Sequence, residues 1–308
     1  MSPVVLICVL LTYQIPTLEE IAHKFKGCTV FTKLDLRKGY HQIPLKPEAR
    51  DLTSFASRKG ILRFARLIFG MSAASEIYQR LIEEVLAGIT GVCNISDDII
   101  IGGKDVSELL VRTEAVFKRL AEKNLTLNRS KCRFFKTEIS YLGHRISAKG
   151  ISPDEDRIKS ISSLKHPTNI KELRSFLGMI TYCSKFLPNF ATVTAPLRDL
   201  LKKNSVWLWT EKCNYSFKKL KDMLLSYETL AYFDPKVYTE VVVDASPVGL
   251  GAVISQLQPD GSMRPISYAS RSLSPVEQRY SQIERECLAI VICCKKISKL
   301  PLRTKIHC

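Results

Sequence analysis

The pattern of apolar and polar positions in the first half of the chain predicts strands around a few isolated acids. One apolar, strand-like run covers residues 31–43 and carries a single carboxylate, Asp35. Two short β-rich runs, GVCN and IIIGG, lie on either side of Ser96-Asp97-Asp98. Burying adjacent acids among apolar residues costs several kcal/mol each unless something compensates their charge. A divalent metal ion is the obvious candidate.

Helical spacing appears in two further places in this half. Gly70 breaks a strand, and the small residues after it lead into a helix for which Ser72 is the expected N-cap. A second helix is predicted from Asp105 to Asn124. The apolar positions are Ile77, Leu81, Ile82 and Val85 in the first helix and Leu109, Val116, Phe117 and Leu120 in the second.

The second half of the chain changes character after Ala148-Lys149-Gly150 and Pro153, which mark a boundary. Residues 153–209 are helical in pattern and basic. Three apolar runs at 241–246, 249–254 and 265–269 then predict strands, and a helix should follow from Pro275 to about Lys296. A chain of 308 residues with 45% apolar content is expected to form two or more domains.

The acids at 97 and 98 allow two interpretations. Asp is a common turn former, so the pair could be the turn of an ordinary hairpin. Alternatively, the pair and Asp35 belong to one metal site. Successive strand side chains point to opposite faces, so only one of the pair should share a metal cluster with Asp35. We expect Asp97 to be that ligand and Asp98 to be its supporting partner.

Five motifs, taken in order, resemble the reverse transcriptase of gypsy-class LTR retrotransposons. The resemblance extends from about Tyr13 to about Lys296. Two residues depart from the usual pattern, Ile95 before Ser96 and Ser75 in the second motif. The five motifs are Asp35 with Tyr40, the stretch Phe69 to Gln79, Ser96-Asp97-Asp98, Lys131-Cys132, and Tyr141-Leu142-Gly143-His144.

The resemblance implies an α+β fold in three parts. These are a reverse transcriptase palm, formed by an antiparallel sheet with helices, a helical or mixed thumb and connection, and a partial RNase H-like α/β domain. The expected boundaries are a non-family segment over 1–12, the palm with incomplete fingers over 13–147, thumb and connection over 148–210, and a truncated RNase H-like domain over 211–308.

The resemblance also implies RNA-directed DNA synthesis by a two-metal mechanism. Asp35 and Asp97 would hold two Mg2+ ions, or Mn2+ in their place, and nucleotide phosphates would supply further oxygen ligands. The expected partners are an RNA or DNA template with its primer, deoxynucleoside triphosphates and other segments of the same Pol polyprotein. The alternative is a catalytically weak or inactive nucleic-acid-binding remnant. The intact acids favour the enzyme, and the missing fingers Lys and Arg favour the remnant.

Several further residues take roles from the resemblance. Tyr40 would pack under the nucleotide sugar, Phe69, Gly70 and Gln79 would contact nucleotide or template, and Lys131 would protonate the leaving pyrophosphate. Each has a plainer alternative. Tyr40 could be a half-buried strand aromatic, and Gln79 and Lys131 could be solvated.

Two other motifs lie in the second half. Tyr141, Leu142, Gly143 and His144 resemble a primer grip, with His144 structural or phosphate-contacting rather than a metal ligand. Asp244 and Glu286 resemble RNase H metal ligands, and Glu284 lies about 200° around the helix from Glu286. Two acids are too few to hold both ions well, so RNase H activity is not expected.

Charge and cysteine usage narrow the class of protein further. The formal charge of +16, with 46 Lys and Arg against 30 Asp and Glu, favours a polyanionic partner. Ten cysteines without CxxC spacing suit reduced thiols in an intracellular protein, cytoplasmic or nuclear. The apolar run from Pro3 to Leu11 is too short to span a membrane and lacks signal-peptide features, so no membrane partner is expected.

Overall fold

The computed structural model describes residues 13–203 and 205–297. It divides into two compact units, one ending at Ile139 and the other beginning at Ser140. The apolar run from Pro3 to Leu11 lies outside the described residues. Among the residues described, no helix is long and apolar enough to cross a membrane.

The first unit is built on a four-stranded antiparallel sheet with the order β4-β5-β1-β6. A separate hairpin pairs β2 with β3. Central strand β5 is almost wholly apolar, as expected for a strand covered on both faces. The strands are β1 Val30–Asp35, β2 Phe55–Ser57, β3 Gly60–Leu62, β4 Val92–Ile95, β5 Asp98–Gly103 and β6 Arg133–Lys136.

Two long helices bury apolar faces in the core that they share with this sheet. Helix α3 contributes Leu81, Ile82 and Val85, as its spacing predicts. Helix α4 begins after Asp105, whose carboxylate accepts the Glu108 N–H at 2.8 Å and so caps the helix. The helices are α1 Leu18–Ala22, α2 Pro47–Arg50, α3 Ala74–Leu86 and α4 Val106–Glu122.

Three local predictions for this unit are wrong. Ser72 is not the cap of α3, because the helix starts at Ala74 after Ala73 and has no side-chain cap. Phe117 is predicted to be buried, but it is 39% exposed. Thr113, one turn after Leu109, is part of the buried face of α4. The strand predicted over 31–43 ends at Asp35, because Lys38 and Gly39 have positive φ and turn the chain into a short 3-10 helix.

The second unit begins within β7, the first strand of a small sheet of order β7-β8-β9, and four helices follow that sheet. Leu230 joins this sheet through an isolated bridge to Ile151, and the Tyr232 hydroxyl donates to the Ser147 carbonyl at 2.8 Å. The elements are β7 Glu138–Tyr141, β8 His144–Ser147, β9 Gly150–Pro153, α5 Glu155–Ser162, α6 Ile170–Thr181, α7 Phe190–Asp199 and α8 Glu211–Leu225.

The last part of this unit is a three-stranded antiparallel sheet against one helix. The strands are β10 Thr239–Ala245, β11 Gly249–Leu257 and β12 Met263–Ser272, in the order β10-β11-β12, and the helix is α9 Gln282–Ile297. Helix α9 starts seven residues later than predicted. Ser281 and Glu284 cap its first turn, since Glu284 accepts the Ser281 N–H at 2.7 Å.

Antiparallel sheets packed against helices confirm the predicted α+β class. The first unit is an antiparallel sheet with two covering helices, the middle of the chain is mostly helical, and the end is a sheet with one helix. The eight cysteines in the described residues are all free, and six of them are buried.

Two glycine substitutions in the second unit should have opposite effects on stability. A Cβ at Gly150 would overlap the Leu230 carbonyl oxygen at a φ of +126°, so Gly150→Ala should lower the free energy of unfolding by about 1–3 kcal/mol. Gly178 lies within α6 with nothing near its Cβ position, so Gly178→Ala should raise it by about 0.5–1 kcal/mol. Denaturant unfolding measures both, and equal effects would contradict this account of Gly150.

Candidate active site

Asp97 lies in a tight turn between β4 and β5. Ile95 pairs with Asp98 across the hairpin, which leaves Ser96 and Asp97 as the two turn residues, with Ser96 at a φ of +54°. Strand β1 lies beside β5, so Asp35 is the direct partner of Asp98. The Leu36 N–H also donates to the Asp97 carbonyl at 3.0 Å. The hairpin and β1 therefore bring all three acids to one end of the sheet.

This geometry changes the reason for choosing Asp97. Alternation along the strands puts Asp98, not Asp97, on the same face as Asp35, because directly paired residues of an antiparallel sheet share a face. Asp97 reaches the same end of the sheet because it belongs to the turn and does not follow the alternation. The acids therefore form a hairpin turn and also lie together at one end of the sheet, and their role as a metal site stays a prediction.

Gln79 holds this turn from beneath. It is fully buried in α3. Its side-chain oxygen accepts the Ser96 N–H at 2.7 Å, and its amide nitrogen donates to the Asn94 carbonyl at 2.9 Å and to the Glu83 carboxylate at 2.7 Å. This position differs from the two alternatives considered for Gln79 in the sequence, a template contact and a solvated helix residue. The Gln79 side chain thus forms hydrogen bonds with backbone groups that the tight turn would otherwise leave unpaired.

Gly39 lies directly against the Asp97 carboxylate. A Cβ on Gly39 would come within 2.5 Å of Oδ1 and 2.7 Å of Oδ2, and Gly39 has a φ of +40°. Only glycine is compatible with this approach and this conformation. The absent Cβ leaves space beside both oxygens. Oδ1 of Asp97 is buried there and has no hydrogen-bond partner among the described residues.

The three carboxylates differ in how their charge is compensated. Lys33 pairs with Asp98 at 2.8 Å. In the described residues Asp97 has no ion-pair partner, and burial raises its pKa above the ordinary value. The nearby charges of Asp35 and Asp98 raise the Asp97 pKa further, whereas the Tyr78 hydroxyl and Lys131 lower it. The Tyr78 hydroxyl is close without bonding, since it too is buried without a hydrogen-bond partner in the described chain.

These features fit a cation. An unbonded buried carboxylate oxygen, space beside it and a second acid nearby form a site of excess negative charge, and hard oxygen ligands suit Mg2+. In the residues described, no three His, Cys, Asp or Glu side chains are grouped closely enough to hold a metal by themselves. Asp35 and Asp97 would therefore share the ion with ligands from outside the protein.

Lys131 lies at the edge of these acids. Its ammonium is 3.7 Å from Oδ2 of Asp35, and its side chain is 66% exposed. The loop before it is fixed to β1, because the Asn128 N–H donates to the Asp35 carbonyl at 2.8 Å. An ion pair this exposed adds little to stability. The lysine is thus near the site and free to meet a charged ligand.

Tyr40 belongs to an aromatic cluster near Asp97. Its ring is 4.6 Å from the ring of Phe69 and 4.9 Å from that of Tyr78. Burial raises the pKa of Tyr40, and the charge of Asp97 adds to this. Phe69 is 61% exposed and stands just before Gly70, at a φ of +90°. The cluster gives the site an apolar wall with one accessible ring.

The residues expected to form a primer grip lie in the second unit. Tyr141 is fully buried, and Leu142 and Gly143 form the turn between β7 and β8, at φ of +46° and +66°. His144 is buried and stacks on Tyr182, with ring centroids 4.9 Å apart and planes 10° apart. Leu142 is exposed at the tip of the turn.

Asp244 and Glu286 lie at neighbouring places in the last part of the chain. Asp244 is exposed on β10, and Glu286 is exposed on α9. The Gln282 amide donates to the carbonyl of Ala245, the residue after Asp244, and to the Glu286 carboxylate at 2.9 Å. Glu286 therefore lies on the side of α9 that faces the end of β10. Glu284 instead caps its own helix.

Sequence reasoning missed two parts of the site, Gly39 and the structural role of Gln79. The glycine before Tyr40 was the available signal, because a glycine within an apolar run often marks a close backbone approach. Gln79 gave no such signal. A glutamine on the apolar face of a helix looks the same in sequence whether it is buried or solvated.

Comparison with known proteins identifies both halves of the chain. The family described as "Reverse transcriptase (RNA-dependent DNA polymerase)" matches residues 4–146, and the family described as "RNase H-like domain found in reverse transcriptase" matches residues 209–308. The transposon Tf2-3 and Tf2-7 polyproteins of Schizosaccharomyces pombe are each 34% identical over 281 residues. That match covers 91% of this chain and 21% of each polyprotein, so the chain spans about a fifth of these relatives.

Solved structures show the same fold. The foamy viral protease-reverse transcriptase in complex with an RNA/DNA hybrid superimposes with a TM-score of 0.85 at 23% identity, over 99% of this chain and 40% of that one. The complex of the same viral protein with double-stranded DNA gives 0.84 at 23% identity, over 97% and 62%. With its two matched domains and its polyprotein relatives, the chain belongs to the reverse transcriptases of retrotransposon polyproteins.

Proposed function

We propose that this chain carries the polymerase centre of a retrotransposon reverse transcriptase and extends a primer on an RNA or DNA template. The observation that carries the proposal is the Asp97 carboxylate, which is partly buried, lies near Asp35 and has no hydrogen bond to its Oδ1 from any described residue. A protein that needed only a hairpin turn would gain nothing from an uncompensated charge there. A site that binds a cation with its substrate requires one.

The acids and Lys131 would have separate roles in the reaction. Asp35 and Asp97 would bind two Mg2+ ions, which supply activation of the primer hydroxyl and neutralise phosphate charge. Asp98 would stay paired with Lys33 and hold the end of the sheet in register. Lys131, near Asp35 but exposed, would give a proton to the departing pyrophosphate.

The aromatic cluster supports a nucleotide as substrate. The Tyr40 ring is fixed between Phe69 and Tyr78, so its exposed edge has little freedom to move. A rigid aromatic surface beside the acids would pack against the sugar of a deoxynucleoside triphosphate and exclude a 2′-hydroxyl. Template, primer and other Pol segments are the expected partners, in a reducing compartment that keeps the free cysteines as thiols.

The alternative is a remnant that binds nucleic acid without synthesis, and one assay separates the two. Purified chain is given poly-rA with an oligo-dT primer, thymidine triphosphate and Mg2+. Extension that stops with EDTA supports the enzyme. Duplex binding with no extension at saturating protein supports the remnant. If the chain neither binds the duplex nor extends the primer, both candidate functions are excluded. RNase H activity is proposed to be absent, and the same assay with a labelled hybrid tests it.

Losing either metal-binding acid should abolish most DNA synthesis. Asp35→Asn and Asp97→Asn should each lower the single-turnover rate by several orders of magnitude, because both ions depend on both ligands. The double mutant should be little worse than either single mutant, since residues that act as a unit are not additive. A double mutant whose rate loss is the product of the two single-mutant losses would contradict a shared site. Near-normal extension by either single variant would contradict it as well.

Asp97 should destabilise the fold at neutral pH when no metal is bound. Because its pKa is raised in the folded state, the stability it contributes is present at low pH and is lost as pH rises through that pKa. Asp97→Asn places an uncharged side chain at this position at every pH. In EDTA the variant should therefore unfold at higher denaturant concentration than the wild type, by a margin that grows as pH rises from the ordinary carboxyl pKa through the raised pKa of Asp97 and is constant above it.

Asp98→Asn is the matched control, because it removes a carboxylate that Lys33 already compensates and should not stabilise the chain. Added Mg2+ should stabilise the wild type and leave Asp97→Asn unchanged, by mass action on the folded state. A wild type that is more stable than Asp97→Asn at pH 8 in EDTA would contradict the assignment of uncompensated charge.

Removing the Gln79 amide should impair catalysis without touching any reacting group. Gln79→Leu leaves the Ser96 N–H and the Asn94 carbonyl unpaired in the core, at a cost of about 1–3 kcal/mol each. The turn should shift and the extension rate should fall by roughly 10–100-fold, as for a misplacement of catalytic groups. Arg80→Gln, at the exposed neighbouring position, is the control. A rate for Gln79→Leu within twofold of wild type would show that the turn holds itself.

A further inference from the structure

The turn between β7 and β8 places a leucine in a left-handed backbone conformation. Both of its residues, Leu142 and Gly143, have positive φ, and Leu142 presents an apolar side chain that is 39% exposed. Leucine rarely adopts this conformation, because its Cβ approaches the carbonyl oxygen. Strain of this kind persists only where surrounding contacts enforce it, and it is common at binding sites.

Contacts from two helical segments enforce the turn. The Tyr182 hydroxyl donates to the Leu142 carbonyl, and the Asp154 N–H donates to the Gly143 carbonyl at 3.2 Å. The Asp154 carboxylate accepts the Ser140 hydroxyl at 2.5 Å, and this hydrogen bond holds the Asp154 pKa below its ordinary value. Both carbonyls of the turn are therefore used internally.

Arg157 on α5 packs against the same turn. Its Cζ is 4.1 Å from the centre of the Tyr182 ring. A Cβ on Gly143 would lie 2.8 Å from Nη2, 3.1 Å from Nε and 3.2 Å from Cζ. The guanidinium thus touches the backbone at Gly143 and the face of Tyr182, and both contacts fix its position. No residue larger than glycine fits at 143 while the arginine stays there.

This fixed guanidinium has unused donors. Within the described chain it makes no hydrogen bond and no ion pair, whereas nearby Arg145 pairs with Glu155. The Asp154 carboxylate lies within electrostatic range of Arg157 but takes its hydrogen bonds from the Ser140 hydroxyl and from the backbone N–H groups of Asp156 and Arg157, not from the guanidinium. A half-buried arginine held in place with free N–H groups is prepared to bind an anion, and its planar fork matches a phosphate.

We propose that Arg157, which lies outside the segment expected to form the primer grip, binds a phosphodiester of the nucleic-acid strand that would pass over the Leu142-Gly143 turn. The proposal rests on the proposed function, because that function supplies the strand. Glycine at 143 gives the strand close access to the backbone, and the Tyr182 ring holds the guanidinium without consuming its donors. The alternative is a purely structural arginine that only covers the Tyr182 ring.

The salt dependence of duplex binding separates these roles. Arg157→Gln removes one phosphate-binding charge, so affinity for a primer-template should fall roughly 10-fold at moderate salt. The slope of log affinity against log salt should decrease by about 0.9, the value for one lost phosphate contact. Arg279→Gln removes an equal charge from an exposed position in the same unit and is the control. Its own slope should change by less than half as much.

Methylphosphonate substitution identifies the phosphate. Each phosphate of the primer strand and template strand is replaced in turn, which removes one charge from the duplex. One position should weaken wild-type binding strongly and leave Arg157→Gln unaffected, and Arg157→Lys should retain part of the effect because it keeps the charge without the fork. Thermal unfolding of each variant accompanies the binding data.

Each outcome decides the proposal. A lower melting temperature for Arg157→Gln with an unchanged salt slope would overturn it in favour of the structural role. A slope change equal to that of Arg279→Gln, or no position coupled to Arg157, would also overturn it. In these cases wild-type binding and primer extension would still stand, so the proposed function would survive. A wild type that binds no duplex at low salt would overturn both the proposal for Arg157 and the proposed function.

Discussion

The palm is organised around a carboxylate charge that no ion pair compensates in the described residues. Asp97 lies partly buried at the end of an apolar sheet, with glycine backbone against it and no hydrogen bond to its Oδ1 from that part of the chain. Every neighbouring feature accommodates this carboxylate. The turn that carries it adopts a positive φ at Ser96, Gln79 holds that turn, and residue 39 must be glycine. These costs are understandable if a cation completes the site.

The sheet separates the roles of adjacent acids. Asp98 follows the strand register, pairs with Asp35 across β1 and β5, and has Lys33 as its counterion. Asp97 belongs to the turn and forms no ion pair with the described part of the chain, although the charge of Lys131 is near it. The same dipeptide therefore supplies one acid that stabilises the fold and one that destabilises it. Lys131, mostly exposed beside Asp35, extends the charged site toward solvent.

The sequence was sufficient for the elements whose apolar spacing is regular and for the acids themselves. Helices α3 and α4, the hairpin at 96–97 and the three strands after 239 follow from periodicity. It was insufficient where conformation depends on distant contacts. The end of β1 depends on the positive φ at Lys38 and Gly39, and the burial of Gln79 depends on Ser96, seventeen residues away.

The same limit applies to Arg157. In the sequence it is one of 46 basic residues, and nothing in its local pattern separates it from solvated ones. Its distinction comes from Tyr182 and Gly143, which lie 25 and 14 residues away along the chain and meet it only in the fold. Composition predicts a polyanionic partner only as a class, whereas the proposed contact at Arg157 is argued from geometry.

Anomalous scattering from Mn2+ tests the central claim most directly. Crystals of the chain with a primer-template, a non-hydrolysable nucleotide and Mn2+ would locate each metal ion by its own signal. The account predicts metal bound to Asp35 and Asp97 together, with Asp98 still paired to Lys33. Metal held by Asp98 in place of Asp97, or an Asp97 carboxylate that remains buried without a metal ligand bond, would contradict it.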